Sequence, residues 1–135
     1  MKILEQLTEE KLFQLMASRY TGLIDLNVEN KQSPIDWYWP EGNIYMEGKC
    51  RKEHRLTLFI QKDKWDALRG KEKGWYVNST PKGIYVWNVK EIEEPIWFKR
   101  SMQNSQEFEN QSIVKKLVGE LRVDKAIQID HLLLK

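Results

Sequence analysis

The stretch Pro34-Ile35-Asp36-Trp37-Tyr38-Trp39-Pro40-Glu41-Gly42-Asn43-Ile44-Tyr45-Met46-Glu47-Gly48-Lys49-Cys50 reads as a β-hairpin with chemistry on one face. Ile35 to Trp39 is a strand by composition, Pro40-Glu41-Gly42-Asn43 is a turn, and Ile44 to Arg51 is the return strand. With the turn centred between Glu41 and Gly42, paired residue numbers sum to 83, so Trp37 faces Met46 and Asp36 faces Glu47. Carboxylates on directly opposite residues sit about 5 Å apart, and like charges so placed destabilise a sheet. Folding alone gives no reason for that pairing. A divalent cation removes the repulsion, and paired carboxylate oxygens suit magnesium. Strand alternation puts Glu47 and Lys49 on the face of Asp36, and Ile44, Met46, Gly48 and Cys50 on the other. One face is therefore expected to present two metal-binding carboxylates and an ammonium that can stabilise charge on a phosphate.

Outward from the hairpin, the pattern alternates helix and strand. Leu4, Leu7, Leu12, Leu15, Met16 and Tyr20 follow helical spacing. Thr8 with Glu9 and Glu10 marks an N-cap and an acidic first turn, and Gly22 ends the helix. Leu23–Val28 is a candidate short strand and Asn27–Ser33 a polar loop. Leu56–Ile60 gives a third strand, and Asp63 is expected to cap a short helix through Leu68 that Gly70 closes. Trp75–Val77 and Ile84–Val89 flank Thr80-Pro81-Lys82-Gly83 as a second hairpin. Pro95 breaks the chain, and Ile113 to Leu121 is expected to be an amphipathic helix. The sequence shows no repeat, low-complexity tract or separating linker.

The chain has 135 residues, 41% hydrophobic and 31% charged, which fits one folded domain over 1–135 and excludes a disordered chain. No apolar run approaches the roughly 20 residues of a membrane helix. The start, Met1-Lys2-Ile3-Leu4-Glu5, is charged too early for a secretory signal, so the expected location is cytoplasmic. Cys50 is the one cysteine, so no internal disulfide or cysteine-based zinc site forms, and His54 and His131 lack metal-site spacing. Net charge is +2, yet Lys49–Lys73 holds nine bases against four acids, a local +5. Such a segment suits a phosphate backbone or, equally, a solvated face.

Pro34-Ile35-Asp36, a turn and then Glu47-Gly48-Lys49 resemble the PD-(D/E)XK nuclease superfamily, with one residue inserted between Pro and Asp. That superfamily includes restriction enzymes, Holliday-junction resolvases and small phage endonucleases. The resemblance spans roughly Thr8 to Val89. It implies an α/β fold with a restriction-endonuclease-like core, a central mixed β-sheet flanked by helices, in which a helix precedes a three-stranded meander. It implies Asp36, Glu47 and the Gly48 carbonyl as ligands of Mg2+, with Mn2+ as a substitute, and Lys49 as the catalytic lysine. Glu10 matches the glutamate that many members carry near the start of the preceding helix, and Glu9 competes with it. The implied activity is hydrolysis of DNA phosphodiesters leaving five-prime phosphates. Two further Glu-x-Lys matches, Glu9/Lys11 in a helix and Glu29/Lys31 in a loop, lack a carboxylate partner on an adjacent strand.

Arg51, Lys52, Lys62 and Lys64 are the candidate contacts to nucleic acid. The six tryptophans fall mostly on strands and are expected in the core. Tyr38 and Tyr45, on the face of Glu47, are better placed for substrate. Cys50 is expected to be an inert core-side thiol and His54 a loop histidine. The apolar tail of Val123, Ile127, Ile129, Leu132, Leu133 and Leu134 must pack on its own core or on a second copy, and a homodimer would suit cutting of both strands. The rival to a nuclease is a non-catalytic module that stacks single-stranded nucleic acid on aromatics. It explains the tryptophans and the bases but leaves the facing carboxylates without a purpose.

Overall fold

Thr8 starts the first helix. In the computed structural model, which describes residues 6–28, 30–103 and 113–129, its hydroxyl accepts a hydrogen bond from the Lys11 amide at 3.1 Å. That bond satisfies one of the orphan amides of α1 (Glu9–Arg19), whose buried face carries Leu12 and Met16. Gly22, at φ +91°, then turns the chain through a conformation few side chains tolerate. Of the sequence features above, Leu4, Glu29, His131 and Leu132–Leu134 lie outside the described residues.

Three antiparallel strands follow: β1 (Ile24–Asp25), β2 (Trp37–Trp39) and β3 (Ile44–Cys50). The register is the expected one, with Trp37 opposite Met46, Tyr38 opposite Tyr45 and Trp39 opposite Ile44. Asn43, at φ 52°, supplies the left-handed residue of the turn. The meander is built differently from the expectation, however. Its third member is β1, while the strand expected there, β4 (Thr57–Gln61), leaves for another sheet. The chain returns through α2 (Lys62–Arg69) to lay β5 (Gly74–Thr80) parallel to β3. Parallel neighbours need such a crossover, and the β4–α2 excursion provides it. A tight turn then adds β6 (Gly83–Asn88) antiparallel to β5.

Two expectations about α2 need correction. Gln61, not Asp63, occupies the cap position, and Asp63 instead accepts from the Lys64 amide at 2.9 Å. Gly70 closes the helix in a right-handed conformation, φ −71°, without the left-handed turn glycine usually contributes.

The larger correction lies in the last third. Ile113 to Arg122 is strand β8, not a helix, and it pairs antiparallel with both β4 and β7 (Phe98–Gln103). Leu117 and Leu121 stand four apart and Val114 and Val118 likewise, which imitates a helical stripe. Two strand partners override that weak preference, as tertiary context commonly does. A 3-10 turn at Val123–Lys125 leads to β9 (Ile127–Ile129), on the β6 edge of the main sheet.

The result is an α/β fold with a six-stranded mixed sheet, β1-β2-β3-β5-β6-β9, and a three-stranded sheet, β4-β8-β7. Alternation sends Trp37, Met46, Val77, Ile84 and Val86 to the face covered by α1. Tyr76, Tyr85 and Trp87 go to the other face, against Trp65 and Leu68 of α2 and Leu58, Ile60 and Leu121 of the small sheet. The Trp87 indole N–H donates to the Arg122 carbonyl at 2.9 Å and ties the two sheets together. Among the described residues no helix is long and apolar enough to cross a membrane.

Gly119 distinguishes strand from helix by the sign of one substitution. A Cβ there would stand 2.5 Å from Pro95 Cγ. Gly119→Ala is therefore expected to destabilise by about 1–3 kcal/mol through overpacking. In an exposed helix the same change would stabilise by about 1 kcal/mol. Urea unfolding of the two proteins gives the sign.

Candidate active site

The β2–β3 ladder ends at Trp37, and Asp36 takes over the next rung with its side chain. Asp36 Oδ2 accepts from the Gly48 amide at 3.0 Å, and Oδ1 accepts from Asn27 Nδ2 at 3.0 Å. Along β3 the Tyr45 and Arg51 amides donate to Lys73 and Ser79 carbonyls on the β5 side, so Met46 and Gly48 present amide and carbonyl to the β2 side. The Gly48 carbonyl thus emerges where β2 has stopped, beside Asp36. Position 48 admits no side chain, because a Cβ would collide with the Trp37 ring. That ring is 4% exposed and packs against Phe13 of α1, so the hairpin end is clamped under the helix.

Glu47 points to the other face, where its strand partner is Tyr76. It is 8% exposed. Its Oε2 lies 3.6 Å from Lys64 Nζ, while Oε1 is buried without a hydrogen-bond partner. Burial pushes the carboxyl up to about 8, the nearby Asp36 charge and a hydrogen bond between the two side chains add to the rise, and the Lys64 ammonium opposes it. As the neutral acid Glu47 can share its proton with Asp36, which removes the repulsion between the two groups, so a cation bound there would take the place of that proton. The donor set fits a hard divalent cation: Asp36, Glu47 and the Gly48 carbonyl would hold it. Among the described residues no three His, Cys, Asp or Glu side chains converge into a ready-made cage. Magnesium needs none, because it is commonly held by one or two carboxylates and keeps several waters.

The remaining candidates are distributed unevenly. Lys49 is exposed and borders a cleft with Glu47, Gln61 and Lys64, and on its other side a groove with Glu9 and Cys50. Glu9 and Glu10, in the first turn of α1, both border a pocket with Asp36, Asn27 and Gly48. Glu9 also shares the helix face of Leu12 and Met16, so both carboxylates remain at the site's edge. Lys64 stands beside Glu47 and donates to the Pro34 carbonyl at 3.4 Å. That proximity was not visible in the sequence, since it depends on how α2 packs across β3. Asn27 was hidden for the same reason: nothing in its polar loop indicates that it orients Asp36.

Arg51 has a structural task. Its guanidinium donates to Asn78 Oδ1 at 2.7 Å, to the Tyr76 hydroxyl at 3.0 Å and to the Phe59 carbonyl, bracing β3 against β5 and β4. Lys62 is bonded to Asp66 at 2.8 Å and lies over the Trp97 ring, while Lys52 is exposed. Tyr38 and Tyr45 contact each other with ring centroids 4.4 Å apart, and Lys71 covers Tyr45. Cys50 is half-buried, and burial pushes its thiol up, so it stays neutral. His54 contacts the Thr80 hydroxyl at 2.9 Å, and burial lowers its pKa. Comparison with protein-family models, curated proteins and solved structures gives no match to this chain.

Glu47 gives the stability a characteristic pH dependence. Its folded pKa of about 8 lies above the ordinary 4.5, so between those values the folded protein binds the extra proton. In chelator, stability should fall as pH rises from about 5 to 8, by an amount on the order of a few kcal/mol. Glu47→Gln should lose that part of the slope. Denaturant melts at four pH values for both proteins check it.

Proposed function

We propose that this chain is a magnesium-dependent DNA endonuclease of the PD-(D/E)XK type. The observation that carries the reading is the buried Glu47 carboxyl held against the Asp36 side chain, on the strand that also bears Gly48 and Lys49. The topology is compatible with a restriction-endonuclease-like core. A helix precedes the antiparallel β1–β2–β3 unit, and α2 then returns the chain to a parallel β5.

The residues divide the work by position. Asp36 is oriented by Asn27 and by the Gly48 amide, so its carboxylate is held in place before any ligand arrives. Glu47 would have to release its proton to solvent to hold a cation, and the Lys64 ammonium favours its ionised form. A bound divalent cation would lower the pKa of its water and polarise a phosphoryl oxygen. Lys49 brings an exposed ammonium to the cleft and would stabilise charge that develops on the phosphate. Glu10, with Glu9 one residue before it, lines the same pocket as Asp36 and would orient the attacking water. By family resemblance the products are a five-prime phosphate and a three-prime hydroxyl.

The single-strand binding reading has three half-buried tryptophans to draw on, Trp39, Trp75 and Trp97. Trp37, Trp65 and Trp87 are 1–4% exposed and belong to the core, so they offer bases no stacking surface.

The test is cleavage of plasmid, linear duplex, branched and single-stranded DNA with magnesium or manganese. The parent should cut at least one substrate, chelator should stop it, and Glu47→Gln and Lys49→Ala should each lower the rate by roughly 100-fold or more. A parent that cuts nothing with either metal, or a Glu47→Gln variant with parental rate, overturns the reading.

A further inference from the structure

The small sheet β4-β8-β7 stands beside the site, and its β7–β8 end carries a basic cluster of its own, apart from Lys49–Lys73. In the facing segments Lys99–Ser101 and Lys115–Leu117, four of six residues are basic, none is acidic, and all four bases are exposed. Arg100 stands directly opposite Lys116. Like charges so paired weaken a sheet, and among the described residues neither side chain has an acidic ion-pair partner. Lysine on an edge strand can guard against unwanted strand pairing, which would explain Lys99 on β7. It does not explain Lys115 and Lys116, because β8 is the central strand.

The basic end connects to the site. Arg100 places its guanidinium over the Phe59 ring, 4.1 Å from the centroid. Together with Phe59, Lys52 and Arg55, it lines a groove on the outer side of β4. Phe59 and Arg51 form the shared wall between this groove and the cleft of Glu47 and Lys49. Among the described residues the acids nearby are Glu53, paired with Arg55 at 2.9 Å, and Glu120, the cross-strand partner of Phe59 on the same face.

We propose that the small sheet is a DNA-gripping arm, in which Arg100 and Lys116 contact successive phosphates of a strand that runs past Lys52 and Phe59 towards Glu47 and Lys49. The direction of that path rests on the nuclease reading; the grip itself does not. Arg100 stacked on Phe59 is held in place before binding, so less of its side-chain entropy is lost when a phosphate arrives. The contacts are to backbone alone, and they carry affinity without base preference.

The experiment measures binding of labelled duplex and single-stranded DNA to the Glu47→Gln protein, whose substrate stays intact, across a range of salt. Each phosphate contact contributes about 0.9 to the slope of log K against log salt for duplex and about 0.7 for a single strand. Arg100→Gln/Lys116→Gln should lower the slope by about 1.8 or 1.4, respectively, and weaken binding at least roughly tenfold at 0.15 M salt. Lys73→Gln/Lys90→Gln removes the same charge at the far end of β5 and should leave the slope nearly unchanged. Lys116→Gln alone, should the double variant melt early, should lower the slope by about half as much. An unchanged slope, an equal loss in the control pair, or no DNA binding by the Glu47→Gln protein overturns the proposal. If the slope falls as expected but the parent cuts no DNA, the arm stands and the catalytic reading falls. If the parent cuts DNA and the slope is unchanged, the reverse holds.

Discussion

A single hydrogen bond, from the Gly48 amide to the Asp36 carboxylate, replaces the rung that the β2–β3 ladder would otherwise have formed. It stops one strand while the other continues, and so opens the edge of β3 at the place where chemistry is proposed. Gly48 allows this because Trp37 lies where a side chain would stand. Trp37 in turn is fixed by Phe13, and α1 is fixed by Leu12 and Met16 under the sheet. The position of Asp36 therefore follows from packing on one face. The burial of Glu47 follows from packing on the other, where α2 and β4 cover the strand.

The excursion of β4 shapes that second face. Had Leu56–Ile60 completed a meander beside β3, β5 would have had no place there. Because β4 joins β8 and β7 instead, β3 gains a parallel neighbour, and Glu47 faces a wall made of α2 and the small sheet. Arg51 holds the two sheets at this junction through Phe59, Tyr76 and Asn78. The half-buried Arg51 guanidinium is occupied by this junction, while Lys49, two residues earlier, is exposed at the cleft.

Local features were legible in the sequence and long-range ones were not. The hairpin register followed from one turn and strand alternation, and helix α1 from Thr8 and an acidic first turn. Both are decided by residues within a few positions of each other. Strand β8 was read as a helix because its apolar spacing fits either period, and the decision belongs to β4, more than fifty residues earlier. Arg51 and Lys64 looked alike as surface cations. Only the packed structure shows that one braces the sheets and the other stands 3.6 Å from Glu47. The carboxylate pair was legible in outline, though Asp36 meets Glu47 from beyond the strand end and not as a ladder partner.

The most direct test is calorimetric titration of manganese into the metal-free protein at pH 7, repeated in buffers with different ionisation enthalpies. A carboxyl with a pKa near 8 is mostly protonated at that pH, so it must lose its proton to bind metal. The expected result is one manganese bound with release of nearly one proton, competition by magnesium, and loss of the proton release in Glu47→Gln together with at least roughly tenfold weaker binding. Binding without proton release, or a Glu47→Gln protein that binds manganese as the parent does, would contradict a metal held between Asp36 and Glu47.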